Sequence, residues 1–120
     1  MTDSPVDRAF PRLQLGISAQ LETLDGRQRV RLMDLSQGGA HLILSQLGEF
    51  KECVLTWLNF EVFGAAAWSD GKHFGMTFES PLPLRVLVET RTRAPSVVRE
   101  EEEKAAQEWV AGTLQSGSDR

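Results

Sequence analysis

The feature that most limits what this chain can fold into is an alternation that runs straight into a turn. Leu13, Leu15, Ile17, Ala19 and Leu21 are apolar, and Gln14, Gly16, Ser18, Gln20 and Glu22 between them are polar or small. Successive side chains of a strand point to opposite faces, so a period of two marks a strand with one face buried and one wet. Asp25-Gly26 follows, a strong hairpin signal because a tight two-residue turn needs positive φ. The return strand is predicted from about Arg27 to Asp34, with Val30 and Leu32 inward and Arg29 and Arg31 solvated. With Asp25 and Gly26 as the loop, Leu24 pairs with Arg27, and Arg12 comes opposite Gly39 at the hairpin's open end. A bulge would move that register by a residue without changing the neighbourhood.

After a turn at Ser36–Gly39, Ala40 to Leu44 reads as a third strand. Ser45 to Glu49 is a loop or a short helical turn. Glu52 to Phe60 is nearly continuously apolar, as in a strand buried on both faces, and Glu61 to Trp68 follows as a fifth. Its successive alanines make room for large neighbours such as Trp57; Trp57, Trp68 and the phenylalanines read as core. Ser69-Asp70-Gly71-Lys72 is a turn, and Phe74, Met76 and Phe78 alternate in a sixth strand. Short strands with hairpin punctuation predict an all-β fold, a closed or nearly closed antiparallel barrel, since closure removes exposed edges. Leu84 to Glu89 fits a strand or a helical turn equally. Pro95-Ser96 is predicted to start a helix with Ser96 as N-cap, and Ala105, Ala106, Trp109, Val110 and Thr113 form an apolar stripe suited to packing on the barrel. The expected organisation is a flexible arm over 1–12, a barrel over 13–94, a C-terminal helix over 95–114 and a disordered tail over 115–120.

At 120 residues the chain suits one domain with a real core. No apolar run is long enough to span a bilayer, and Met1 to Val6 lacks the basic flank and apolar stretch of a signal peptide, so a cytoplasmic location is expected. The single Cys53 precludes an internal disulfide. A net charge of −4 argues against general DNA or RNA binding. Charge is unevenly spread, however: from Arg8 to Arg31 five arginines face only Glu22 and Asp25, while Glu100 to Glu103 and Glu108 make the C-terminal segment acidic. A small anion would be drawn to the first region.

Two segments carry chemistry. Arg8-Ala9-Phe10-Pro11-Arg12 places two guanidiniums on a chain that Pro11 keeps from being helical. A guanidinium fork suits a phosphodiester or the O6/N7 edge of guanine. Asp34-Leu35-Ser36-Gln37-Gly38-Gly39 offers the opposite: a carboxylate for guanine N1–H and N2–H, a hydroxyl, and glycines whose backbone N–H groups suit an anion. Alone, each has a plain reading, solvated arginines or a Ser-capped turn; the hairpin register brings them together. His41 is expected to be a strand residue beside this site and Cys53 a core residue. His41, His73 and Cys53 share no metal-ligand spacing, and no nucleophile–base pair or P-loop is present, so neither an enzyme nor a metal site is expected.

At these residues the chain resembles the PilZ domain family. Arg8 and Arg12 fit its RxxxR motif; Asp34, Ser36 and Gly39 fit its (D/N)xSxxG motif, in the family's order; Ala67-Trp68 and Gly71 to Phe78 resemble the domain's closing strands. The likeness covers roughly residues 8–90, and Asp7 stands where many members carry a further basic residue. It implies a six-stranded PilZ-type barrel with a C-terminal helix, and a receptor for the bacterial second messenger cyclic di-GMP. By that mapping Arg8 and Arg12 bind from a mobile arm, and Asp34, Ser36, Gly38 and Gly39 bind from the barrel. Cyclic di-GMP is then the ligand, with no other cofactor, and the signal passes to an unidentified protein partner as the arm orders. The competing reading is a protein–protein interaction module indifferent to nucleotide.

Overall fold

In the computed structural model, which describes residues 12–118 and only the backbone beyond residue 107, six strands precede one helix. They are β1 (Leu13–Thr23), β2 (Gly26–Leu35), β3 (Gly39–Leu44), β4 (Glu52–Trp57), β5 (Phe60–Asp70) and β6 (His73–Phe78), followed by α1 (Leu84–Ser118). All pairings are antiparallel, in the order β1-β2-β3-β6-β5-β4, and β1 bonds back to β4 through Gln20↔Thr56, Leu21↔Leu55 and Glu22↔Val54. The expected closed six-stranded barrel is therefore the fold. Ile17, Leu21, Leu32, Leu42, Leu55, Trp57 and Phe74 fill its interior, each buried to 2% exposure or less. These are the alternating apolar positions of their strands, which is why the period-two pattern was informative.

The hairpin register differs from the one expected. Thr23 pairs with Gly26, so the loop is Leu24-Asp25 and not Asp25-Gly26. The cause is the Thr23 hydroxyl, which accepts the Asp25 N–H at 3.1 Å; Gly26 spends its positive φ of 133° at the first strand position instead. Leu24 is left fully exposed at the tip. Nor is Glu52 to Phe60 one strand. It turns at Leu58, whose φ of 51° is in the left-handed region, and Trp57 pairs with Phe60 across that turn. The bend is Leu58-Asn59, and it is concealed because the positive φ falls on the leucine and not on the asparagine beside it.

The helix overturns three boundaries. It begins at Leu84, so the barrel does not extend to 94; Pro95 lies inside it and Ser96 is no N-cap; and the helical backbone continues to Ser118, through most of the tail expected over 115–120. Pro83 stands immediately before its first residue, where a missing N–H costs nothing. Pro95 removes a donor from the carbonyl one turn back, a loss of about 3 kcal/mol in an isolated helix. Packing outweighs it: Val86, Leu87, Thr90 and Ala94 are buried, and Val97 and Val98 pack on the core cluster beyond the proline. One turn later Glu101 Oε2 accepts the Ser18 N–H of β1 at 3.1 Å. Ala105 and Ala106 are exposed, so that part of the expected stripe does not pack on the barrel; Trp109, Val110 and Thr113 have side chains outside the described residues.

A buried polar contact locks the helix to the barrel. Trp57 Nε1–H donates to Thr90 Oγ1 at 3.1 Å, and both residues are at most 1% exposed. Thr90→Val keeps the shape but strands the indole N–H, a penalty of about 1–3 kcal/mol. Urea unfolding should show a loss of that size; unchanged stability would mean that this bond does not clamp α1.

Candidate functional site

Strict alternation would point Asp34 inward with Val30 and Leu32. The β2–β3 register shifts between Leu32 and Asp34, leaving Met33 as the extra residue, and Asp34 faces outward opposite His41 while Leu35 turns back in opposite Ala40. A second shift, between Ala66 and Trp68 in β5, leaves Ala67 extra and brings Trp68 out opposite Gly75. A third sits in β1 between Gln14 and Ile17, at Gly16 with a φ of 88°. The result is one row across five strands: Gln14 pairs with Asp34, Asp34 with His41, His41 with Gly75, and Gly75 with Trp68.

Gly75 is essential to that row for steric reasons. A Cβ there would run into the indole of Trp68, so the ring lies down over the glycine toward His41, with ring centroids 5.6 Å apart. Gly39 is needed for a similar reason, because a Cβ there would strike the backbone carbonyl of Met76. Arg12 reaches the carboxylate end of the row: its Nη1 lies 2.8 Å from Asp34 Oδ1. His41 Nδ1 stands 3.4 Å from Oδ2. The Asp34 side chain is 11% exposed and that of Arg12 57%, so the anion is sheltered and the cation lies open to solvent.

The Ser36–Gly39 turn closes on itself. Ser36 Oγ accepts the N–H groups of Gly38 at 3.3 Å and Gly39 at 3.1 Å, and donates to the Gly39 carbonyl at 3.3 Å. The N–H groups expected to await an anion are thus held by Ser36, and the serine shapes the turn. The turn is also stitched to the chain before α1. Gln37 accepts the Leu82 N–H at 2.8 Å through its carbonyl and donates to the Leu82 carbonyl at 2.7 Å through Nε2.

Between turn and row lies a cleft of about 380 Å³ lined by Arg12, Ser36, Gly38, Gly39, His41, Trp68, Gly75 and Thr77 among others. Of the predicted site residues, Arg12, Ser36, Gly38 and Gly39 line it, and Asp34 lies behind Arg12, bonded to it although 22 positions separate the two; Arg8 lies outside the described residues. Arg12 meets the Asp34 end of the turn instead of facing Gly39, as the corrected register requires. Trp68, expected in the core, is 49% exposed at the cleft. The signal for it was present: Ala65-Ala66-Ala67 cannot be fitted to a period of two, and a broken period next to a large aromatic marks a bulge. His41 is where it was expected, beside the site.

Chemically the cleft offers at one end a guanidinium with a carboxylate behind it, an aromatic face at the other, and an imidazole between. That set can hold the donor edge of a planar base, stack on its face and pair with an anion. Among the described residues no group of histidines, cysteines and carboxylates is placed to hold a metal. Burial pushes the Cys53 thiol up to about 11, so it is a core group and not a nucleophile.

A family model described as PilZ domain matches residues 7–92. Among solved structures, the PilZ domain with c-di-GMP of YcgR from Escherichia coli is similar with a TM-score of 0.50 at 21% identity, covering 81% of this chain and 95% of that one. At that identity the likeness is one of fold. No curated protein matches the chain in sequence.

The position of Trp68 is testable without ligand. Gly75→Ala should displace the indole and move the Trp68 Nε1–H cross peak in an ¹H–¹⁵N spectrum. The Trp57 cross peak, held by Thr90, should stay. If the Trp68 peak does not move, the ring does not rest on Gly75.

Proposed function

The chain belongs to the PilZ domain family, and on that premise we propose that it is a cyclic di-GMP receptor working as an adaptor and not as an enzyme. One observation carries the proposal: Arg12 and Asp34 meet at 2.8 Å at the edge of a cleft that also holds the Ser36–Gly39 turn and Trp68. Asp34 supplies acceptors for N1–H and N2–H of a guanine, Trp68 a face for the purine, and Arg12 a fork for phosphate or for O6 and N7. A cleft of about 380 Å³ is at the small end for ligand sites, so it takes one guanine and its linkage, with Arg8 and Arg12 covering the rest from the arm.

The Arg12–Asp34 pair is a stand-in for the ligand. Arg12 is open to solvent and can leave readily, but Asp34 is sheltered, so the exchange requires the guanine donors to take over the carboxylate as Arg12 departs. Guanine then replaces Arg12 on the carboxylate and Arg12 turns to the phosphodiester. Moving Arg12 from the carboxylate to the phosphodiester changes the surface offered to a partner; residues 2–11, the remainder of the expected arm, lie outside the described residues. Gln37 supports a second route, because its two bonds to Leu82 tie the ligand turn to the segment just before α1. A protein partner reading the arm or α1 would sense occupancy.

Calorimetry with cyclic di-GMP should give saturable binding that Arg12→Ala weakens about tenfold or more, the value of a lost charge-assisted bond. Partner capture that ignores both nucleotide and that substitution would favour the nucleotide-independent interaction module instead.

A further inference from the structure

His41 occupies the middle of the five-strand row, between Asp34 on β2 and the Gly75–Trp68 pair on β6 and β5. Both its nitrogens have partners. Nδ1 stands 3.4 Å from Asp34 Oδ2, and Nε2 stands 2.9 Å from His73 Nδ1. The rings of His41 and His73 are 5.1 Å apart at centroid and tilted by 31°. The carboxylate paired with Arg12 only accepts, so the ring nitrogen that faces it from 3.4 Å, longer than an ordinary hydrogen bond, is the one that favours the proton. His41 is then the Nδ1–H tautomer, its bare Nε2 accepts from His73, and His73 is Nδ1–H as well. The tautomers of both rings follow from one carboxylate.

This arrangement fixes Asp34 from the side that Arg12 does not occupy. When Arg12 leaves Oδ1, His41 Nδ1 still stands 3.4 Å from Oδ2, near enough to close into a hydrogen bond and keep the carboxylate in its plane. We propose that His41, braced by His73, is a positioning residue for base recognition: it holds both Asp34 oxygens toward the donor edge of a purine, so that the site distinguishes guanine from hypoxanthine. The proposal rests on the receptor reading above. The distinguishing group is the exocyclic N2 amine, which hypoxanthine lacks and which needs the second carboxylate oxygen in line.

Two measurements decide it. Long-range ¹H–¹⁵N correlation on the ligand-free protein in mildly alkaline buffer reads the tautomers directly, and should show Nδ1–H at His41 and at His73. Calorimetry then compares cyclic di-GMP with cyclic di-IMP. His41→Phe keeps a ring beside Trp68 but has no nitrogen, and should lose about tenfold in affinity for cyclic di-GMP, the value of one charge-assisted bond, with affinity for cyclic di-IMP nearly unchanged. His41→Gln, which restores a donor, should recover most of the preference. A thermal midpoint equal to that of the unsubstituted protein shows that the fold is intact. An Nε2–H tautomer at His41, or equal losses for the two ligands, overturns this inference alone. If the unsubstituted protein binds neither dinucleotide, the receptor reading falls and the role of His41 in base recognition falls with it.

Discussion

Alternation is the rule that builds this barrel, and the site exists because alternation is broken in chosen places. With an unbroken ladder Asp34 would point into the core beside Leu32, where an unpaired carboxylate is too costly to bury. One extra residue in β2 turns it outward, and one extra residue in β5 does the same for Trp68. The two bulges lie on either side of the β3–β6 pair, so both side chains come to one surface. Gly75 then gives the indole room to lie flat, and Gly39 lets its turn approach Met76. Strand closure supplies rigidity: the three middle members of the row, Asp34, His41 and Gly75, are paired on both sides.

The Ser36 turn and Asp34 both have partners in the protein itself, in two different ways. The Ser36 turn is satisfied internally, by a hydroxyl that accepts two N–H groups and donates once; it is built to keep its shape. Asp34 is bonded by Arg12, which can leave from its half-exposed position, and has His41 standing beside it on the sheet. A site of this kind can exchange one partner for a ligand without leaving a charge unpaired. The turn's tie to Leu82 places the start of α1 within reach of the same exchange.

The barrel was legible because its signals are local and repetitive: alternating apolar residues in β1, β2 and β6, and hairpin residues between strands. The two motif segments were legible as chemistry, and their meeting followed from hairpin geometry even though the register was off at Thr23. What escaped were features decided by tertiary context. Leu58 takes the positive φ of its bend, although Asn59 beside it is the residue type that favours one. Pro95 reads as a boundary, yet the helix passes through it because Thr90, Ala94, Val97 and Val98 rest on the barrel on both sides of it. Trp68 looks like core until the extra alanine is counted. Arg8 and the arm around it lie outside the described residues, so their part in the site stays a proposal.

The central claim is that Asp34, His41 and Trp68 form one binding surface at the open end of the β1–β2 hairpin. The most direct test is an ¹H–¹⁵N titration of the protein with cyclic di-GMP. The account predicts the largest changes at the Ser36–Gly39 amides and the Trp68 indole N–H, with none at Leu24–Gly26 or Leu47–Gly48 at the opposite end. Changes concentrated at that opposite end, with the Ser36 turn and Trp68 unmoved, would contradict it.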